Sequence, residues 1–354
     1  MYLKGNKYNH LIKENIATKG TKHIGVYNSN NEKVGVIPLG IIAQQNKTKN
    51  YSFCAISDVH ITYDTADVDF QRVLTYVENN DVNFTCICGD LTSNGSDTQL
   101  TQYKNIIDAY AITKPVYAIG GNHESIWGDM TYNKLTPYTG YPLYYSFTKG
   151  DDVFIMLSHY GAYEGDGIGW LSSKFISTEE LQWLYESLEA NRNKRCFIFN
   201  HVYPWNDGVG DACRYYNGQY WLTNDNGIGQ TFINLLSHYK NTVLFHGHSH
   251  LRFKLQSDDD LANYGYPGYR SIHIPSLAVP RDRIEGITQN IYAESEGYII
   301  DVYDDYIILN GMDFIDNDND GKIIPIGTYK IDTTLQYIPE KSFVDVLGLI
   351  VTNK

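Results

Sequence analysis

The sequence predicts an α/β fold, a layered sandwich of two sheets flanked by helices, with a small β appendage at its N-terminus. Three observations predict it. From Tyr51 onward, strand-length apolar runs alternate with amphipathic helical segments. After His250 the helical pattern stops and strand patterns continue. Five of the apolar runs also end on residues able to bind a metal, as expected where ligands gather beyond the carboxyl ends of strands in an open α/β sheet.

Residues 1–47 are rich in Asn, Lys and Gly. They contain β-like pieces at His23–Tyr27 and Val34–Pro38, joined by the turn-forming Asn28-Ser29-Asn30-Asn31. They form the appendage, and residues 48–354 form the main domain. Strand Tyr51–Ser57 leads into Asp58-Val59-His60. Asp67–Asn80 carries Phe70, Val73, Leu74 and Val77 at helical spacing. Val82–Cys88 runs into Gly89-Asp90, and the helix Asp97–Ala111 follows with Leu100, Tyr103, Ile107 and Tyr110. Pro115–Ile119 ends on Gly120-Gly121-Asn122-His123-Glu124, and Asp152–Ser158 is a further strand. Ser177–Asn191 opens with the capping pattern Ser177-x-x-Glu180 and continues with Leu181, Leu184 and Leu188. Cys196–Phe199 meets Asn200-His201. Helix Gly229–Lys240 precedes Thr242–Phe245, which meets His246-Gly247-His248-Ser249-His250. Ser271–Ile274, Tyr298–Tyr303 and Tyr306–Leu309 complete the β-rich remainder.

Bulk composition narrows the function. The 354 residues are 42% hydrophobic, enough for a sizeable core. A formal charge of −13 disfavours broad binding to nucleic acid or anionic lipid, which needs dense Lys and Arg. No stretch approaches the roughly 20 apolar residues of a membrane span. Five Cys, an odd number with no Cys-x-x-Cys pair, argue against a disulfide framework or a zinc-thiolate site. With no apolar signal segment after Met1, a reducing, cytoplasmic location is expected.

The strand ends bring hard oxygen donors and imidazoles together, the donor types that ester-hydrolysing metals require. Asp58 and His60 lie two apart and can turn toward one ion, as can His248 and His250. Asp90 is placed to bridge two ions. Asn122 offers a carbonyl oxygen without adding charge beside an anionic substrate, and His201 completes the set. Two ions about 3.5–4 Å apart can clamp an in-line phosphoryl displacement and lower the pKa of a water from about 15.7 toward about 7. His123 is available as the proton donor. Glu124 is expected to orient His123 or a metal-bound histidine.

In these blocks, Asp-x-His, Gly-Asp, Gly-Asn-His-Glu, His and Gly-His-x-His, the chain resembles the calcineurin-like metallophosphoesterase family from about Tyr51 to His250. The resemblance implies a four-layer α/β/β/α sandwich with two metal ions, commonly iron, manganese or zinc. Carried onto this chain, it implies that Asp58, His60 and His250 hold one ion, that Asn122, His201 and His248 hold the other, and that Asp90 bridges. It also makes His123 the transition-state stabiliser or leaving-group acid. The compact spacing of the first three blocks resembles the cyclic-nucleotide-phosphodiesterase-like branch and points to diester substrates, with a monoester still open. Many family members carry an acidic residue where this chain has Ser93.

Other segments receive plainer readings. Asp316-x-Asp318-x-Asp320-Gly321 begins like an EF-hand loop, but Gly327 stands where the twelfth-position Glu should be, so a polar turn is expected. Aromatic-rich insertions at 160–175 and 203–221 should overhang the site, with Tyr203, Trp205, Arg214 and Arg281 as candidate contacts for a small phosphorylated substrate. His246 is expected as support. A competing reading makes the chain a phage or prophage structural component, with residues 1–47 docking a partner or another copy.

Overall fold

A computed structural model describes residues 48–126, 134–158, 176–203, 228–253, 269–284, 287–315 and 323–339, together with three short backbone strands before them. Those three, β1 (Leu11–Ile12), β2 (His23–Tyr27) and β3 (Lys33–Pro38), form an antiparallel sheet. The main sheets are built from longer-range pairings. In the first, β4 (Tyr51–Ile56), β5 (Thr85–Cys88) and β6 (Val116–Ile119) are parallel. Antiparallel strands β14 (Glu296–Val302), β15 (Tyr306–Asp313) and β16 (Ile324–Asp332) extend it beyond β4. In the second, β8 (Asp152–Leu157), β9 (Cys196–Asn200), β10 (Thr242–His246) and β11 (Arg270–His273) are parallel, with β7 (Tyr145–Lys149) antiparallel at the edge. Strand β3 lies alongside β16.

Period-two alternation distributes each strand between two cores. Every residue of β4 is buried, the pattern of a strand covered on both faces. Phe53 and Ala55 join Phe154, Phe197, Phe199 and Phe245 between the sheets. Cys54 and Ile56 face the helices α1 (Ala66–Asn79) and α2 (Asp97–Tyr110), meeting Phe70, Val73, Leu74, Leu100 and Tyr103. On the second sheet, Val153, Ile155, Ile198 and Leu244 face the other way, against helices of residues 178–190 and 228–238. Each sheet is therefore packed on its partner by one face and on a helix pair by the other. The helix starts use the expected chemistry: Ser96 and Ser177 accept from the backbone N–H of Gln99 and Glu180. Cys54, Cys86, Cys88 and Cys196 are buried free thiols, and Cys213 and the EF-hand-like run lie outside the described residues.

A buried polar clamp joins the sheets away from the ligand-bearing strand ends. Arg195 donates to both carboxylate oxygens of Asp152, at 2.9 and 2.6 Å, and to Thr333 Oγ1 at 2.7 Å. Tyr51 on β4 donates to the same Asp152 at 2.6 Å. At the opposite edge, the carboxyl ends of β4, β5, β6, β9 and β10 converge. Gly247 N–H donates to His201 O at 3.0 Å, and His248 N–H donates across the sheets to Asp58 Oδ2 at 3.0 Å.

Candidate metal centre

The ligand-bearing loops hold an unusual backbone. Asp58, His60, Asp90, His248 and His250 all have positive φ, at 53°, 47°, 49°, 71° and 63°. Such non-glycine conformations cost on the order of 1 kcal/mol or more each and persist where the surroundings fix them. Here a ladder of loop hydrogen bonds fixes them. Asp58 N–H donates to Gly89 O, His60 N–H to Asp90 O, and Arg281 N–H to His250 O at 3.1, 3.0 and 2.7 Å. Glycine enters where side chains must close in. A Cβ at Gly247 would collide with Ser57 Oγ and stand 2.6 Å from Asp58 Oδ2, and one at Gly121 would collide with Asp90.

Two groups of donor atoms result, Asp58–His60–Asp90–His250 and Asp90–His201–His248, and they share Asp90. Asp58 Oδ1 is 3.1 Å from His250 Nε2, and Asp90 Oδ2 is 3.1 Å from His201 Nε2 and 3.7 Å from His60 Nε2. Asn122 Oδ1, which the sequence placed in the set, is 3.1 Å from His201 Nε2. Ligand atoms about 2.1 Å from a common ion stand roughly 3 Å from one another, so these separations suit first-row metals. Asp58 Oδ1 and Asp90 Oδ2 are fully buried and accept no hydrogen bond. Leaving two carboxylate oxygens in that state is expensive unless a cation faces them. The donor set fits two ions.

The histidines are aimed from behind. His201 Nδ1 lies 2.7 Å from Cys88 O and His250 Nδ1 lies 3.2 Å from Val279 O. A carbonyl can only accept, so each Nδ1 carries the proton and each Nε2 turns its lone pair to the site. Burial would raise the carboxyls of Asp58 and Asp90. His250 and His201 beside the first, and His201 and His123 beside the second, instead hold both well below the usual range. Without an ion, burial pushes His60 down to about 3, while for His201 the carboxylate of Asp90 overcomes burial and lifts it to about 9, so an ion taken up there would displace the Nε2 proton. His123 stands apart, half-buried, with Nε2 3.9 Å from Asp90 Oδ2 and Nδ1 2.7 Å from Ser93 O.

The structure corrects two sequence expectations. Glu124 does not orient His123 or a ligand histidine. Its Oε1 accepts from Thr92 N–H and Oγ1–H at 2.8 and 2.9 Å, and its Oε2 from Gly121 N–H at 2.8 Å. It fastens the Asp90 loop to the Asn122 loop, because its short reach from the helical turn Asn122–Ile126 meets those amides first. Tyr203 does not wall a pocket. It is 1% exposed and packs its ring 5.2 Å from His246, inside the core beneath the second sheet. Arg281 is half-buried beside His250, while Trp205 and Arg214 lie outside the described residues. Sequence reasoning missed Thr92 and Ser249, the latter sharing a 2.7 Å hydrogen bond with His273 behind the His248–His250 turn. No spacing signal marks them, since they act through loop closure. Ser93, at the departure from the family pattern, holds loop carbonyls: its hydroxyl reaches His60 O and Ile61 O, each at 3.1 Å.

Two sheets with two overlapping donor groups at their joined strand ends make the arrangement of a metal-dependent phosphoester hydrolase. The chain belongs to the calcineurin-like phosphoesterase family, whose model matches residues 51–252. Among solved structures it is similar to a dimetal phosphatase from Danio rerio, at 15% identity and TM-score 0.55 over 81% of this chain and 100% of that one. It is also similar to a purple acid phosphatase from yellow lupin (Lupinus luteus) seeds, at 13% identity and TM-score 0.51 over 88% of this chain and 59% of that one. A third likeness, at 13% identity and TM-score 0.51, is to GAP50, the anchor in the inner membrane complex of Plasmodium, over 86% of this chain and 96% of that one. At these identities the likenesses concern the fold. No curated protein sequence matches the chain. Among the described residues no helix is long and apolar enough to cross a membrane.

Proposed function

We propose that the protein hydrolyses small phosphoesters, phosphodiesters first and phosphomonoesters second, with two ions of manganese, iron or zinc. The observation that carries this reading is that Asp90 belongs to both donor groups. Asp58, His60 and His250 would hold one ion and Asn122, His201 and His248 the other, with Asp90 available to both. The absence of thiolate from the donor groups suits these borderline metals. When bound, such a pair supplies a water that ionises near neutral pH and positive charge at the phosphoryl oxygens.

The chain's own groups do the remaining work. The carbonyls of Cys88 and Val279 keep His201 and His250 in the ligating tautomer. The carboxylate of Glu124 holds the Asp90 and Asn122 loops at a fixed separation. His123 Nδ1–H donates to Ser93 O, which fixes the ring, and a proton on its Nε2 would go to the departing alkoxide. The lie of β3 along β16 supports reading that strand as part of this unit's own surface rather than of a docking arm. Hydrolysis of bis(para-nitrophenyl) phosphate and para-nitrophenyl phosphate, before and after stripping and restoring metal, tests the reading. Activity should vanish with metal and return with manganese, iron or zinc. Inactivity on both esters with two ions bound would overturn it.

A further inference from the structure

The rim beside His60 and His250 carries groups that phosphoryl chemistry itself does not need. Strands β12 (Arg281–Ile284) and β13 (Ile287–Asn290) form a hairpin joined to the ligand loop. Leu251 and Arg281 pair in a short parallel bridge, next to the bond from Arg281 N–H to His250 O. From there the side chains run in a line. Arg281 Nε–H donates to Asn290 Oδ1 at 3.2 Å, Asn290 Nδ2–H donates to Tyr292 OH at 3.1 Å, and Tyr292 OH lies 3.5 Å from Tyr63 OH. Tyr63 belongs to the other side of the same site: its N–H donates to His60 O at 2.9 Å, and its ring lies 6.5 Å from that of His60. The line thus closes from one ligand loop to the other. Yet Tyr63 and Tyr292 at its end are 39% and 52% exposed, among the large hydrophobic side chains of the described residues left in water. An organised aromatic pair left open beside a reactive centre is the form of a ligand contact.

Charge narrows the ligand. Arg281 is tied to the ligand loop by its N–H, 2.7 Å from His250 O, which puts a cation beside the centre. At the phenol end, the exposed Asp64 stands next to Tyr63 in the chain. Its carboxylate makes that end of the ledge a poor seat for a second phosphate. A planar, uncharged group gains from the rings without meeting that carboxylate.

We infer that Tyr63, Tyr292, Asn290 and Arg281 form a specificity subsite for the non-reacting group of a phosphodiester, and that this group is an uncharged ring, aryl or nucleoside. Arg281 contacts the phosphoryl oxygens and the two tyrosines contact the ring. The inference rests on the hydrolytic reading above. Three esters sharing one leaving group test it: bis(para-nitrophenyl) phosphate, the para-nitrophenyl ester of thymidine monophosphate, and methyl para-nitrophenyl phosphate. Their kcat/KM values are compared for the metal-loaded full chain, Tyr63→Ala, Tyr292→Ala, Tyr292→Phe and Arg281→Met. Each alanine should cut the preference for a ring-bearing ester over the methyl ester about tenfold, mainly through KM, as expected for one lost ring contact. Tyr292→Phe should keep most of that preference, and Arg281→Met should raise KM for all three alike. Which ring ester suffers more tells an aryl from a nucleoside site. Hydrolysis with an unmoved preference in both alanine variants would overturn the subsite alone. Failure of the metal-loaded wild type to cleave any of the three would overturn the hydrolytic reading and the subsite with it.

Discussion

At the scale of single residues, the centre depends on conformations that ordinary side chains avoid. Asp58, His60, Asp90, His248 and His250 sit in left-handed backbone because the loops that carry them are bonded to one another. Their identities were legible in the sequence, since Asp, His and Asn at strand ends are the donors a two-ion site needs. Their backbone strain was not, because it arises from contacts between loops far apart in the chain. For the same reason Glu124 and Tyr203 were misread: chain proximity to a ligand suggested a role that the amides of Thr92 and Gly121 and the core beside His246 had already taken. His123 is a clear test at this scale. Replacing it with Ala should lower kcat by about 10²- to 10⁴-fold, the usual range for a lost general acid. Metal content should stay at the wild-type value, because Asp90 and the other donors remain. The decisive comparison is between esters with good and poor leaving groups. The loss should be larger for an alkoxide that needs a proton than for para-nitrophenolate.

At the scale of elements, the strands ending in ligands were legible because their apolar runs are short, continuous and followed by the donor residues. Strand β16 was not. It contains Pro325 and Gly327, which weaken a strand signal, and it tolerates them because it lies at the edge of its sheet, where β15 is irregular between Gly311 and Met312. Strands β7, β12 and β13 are likewise short edge or hairpin elements. The element-scale feature with the largest stability consequence is the Arg195–Asp152 pair, which ties the second sheet to Tyr51 of the first. Removing one partner of a buried pair leaves the other charge uncompensated. Arg195→Met should therefore lower unfolding free energy by about 3–5 kcal/mol, read as a shifted urea midpoint at unchanged slope. An effect under about 1 kcal/mol would place the pair among exposed bridges instead.

At the scale of the molecule, the two sheets contribute ligands to a common centre, so packing and chemistry are coupled. The same packing buries carboxyls that ligand-seeking motifs do not reveal. Burial, then the neighbouring Glu294, raises Glu296 from 4.5 to about 8, and burial raises Asp313 to about 6. A carboxyl raised on folding binds its proton more tightly in the native state. Its contribution is complete below the ordinary carboxylate range and is lost as pH rises through the native value. Stability from these two groups should thus decline from about pH 5 to about pH 8. Glu296→Gln should flatten that decline, measured as unfolding temperature against pH under constant metal. An unaltered slope would show that Glu296 titrates as an exposed carboxyl.

In the proposed function Asp90 joins two ions in one centre. The most direct measurement is metal content together with the electron paramagnetic resonance spectrum of the manganese-loaded protein, for wild type and Asp90→Asn. The wild type should bind two ions per chain with a spin-coupled spectrum, and Asp90→Asn should lose that coupling. One ion per wild-type chain, or two that are uncoupled, would contradict it.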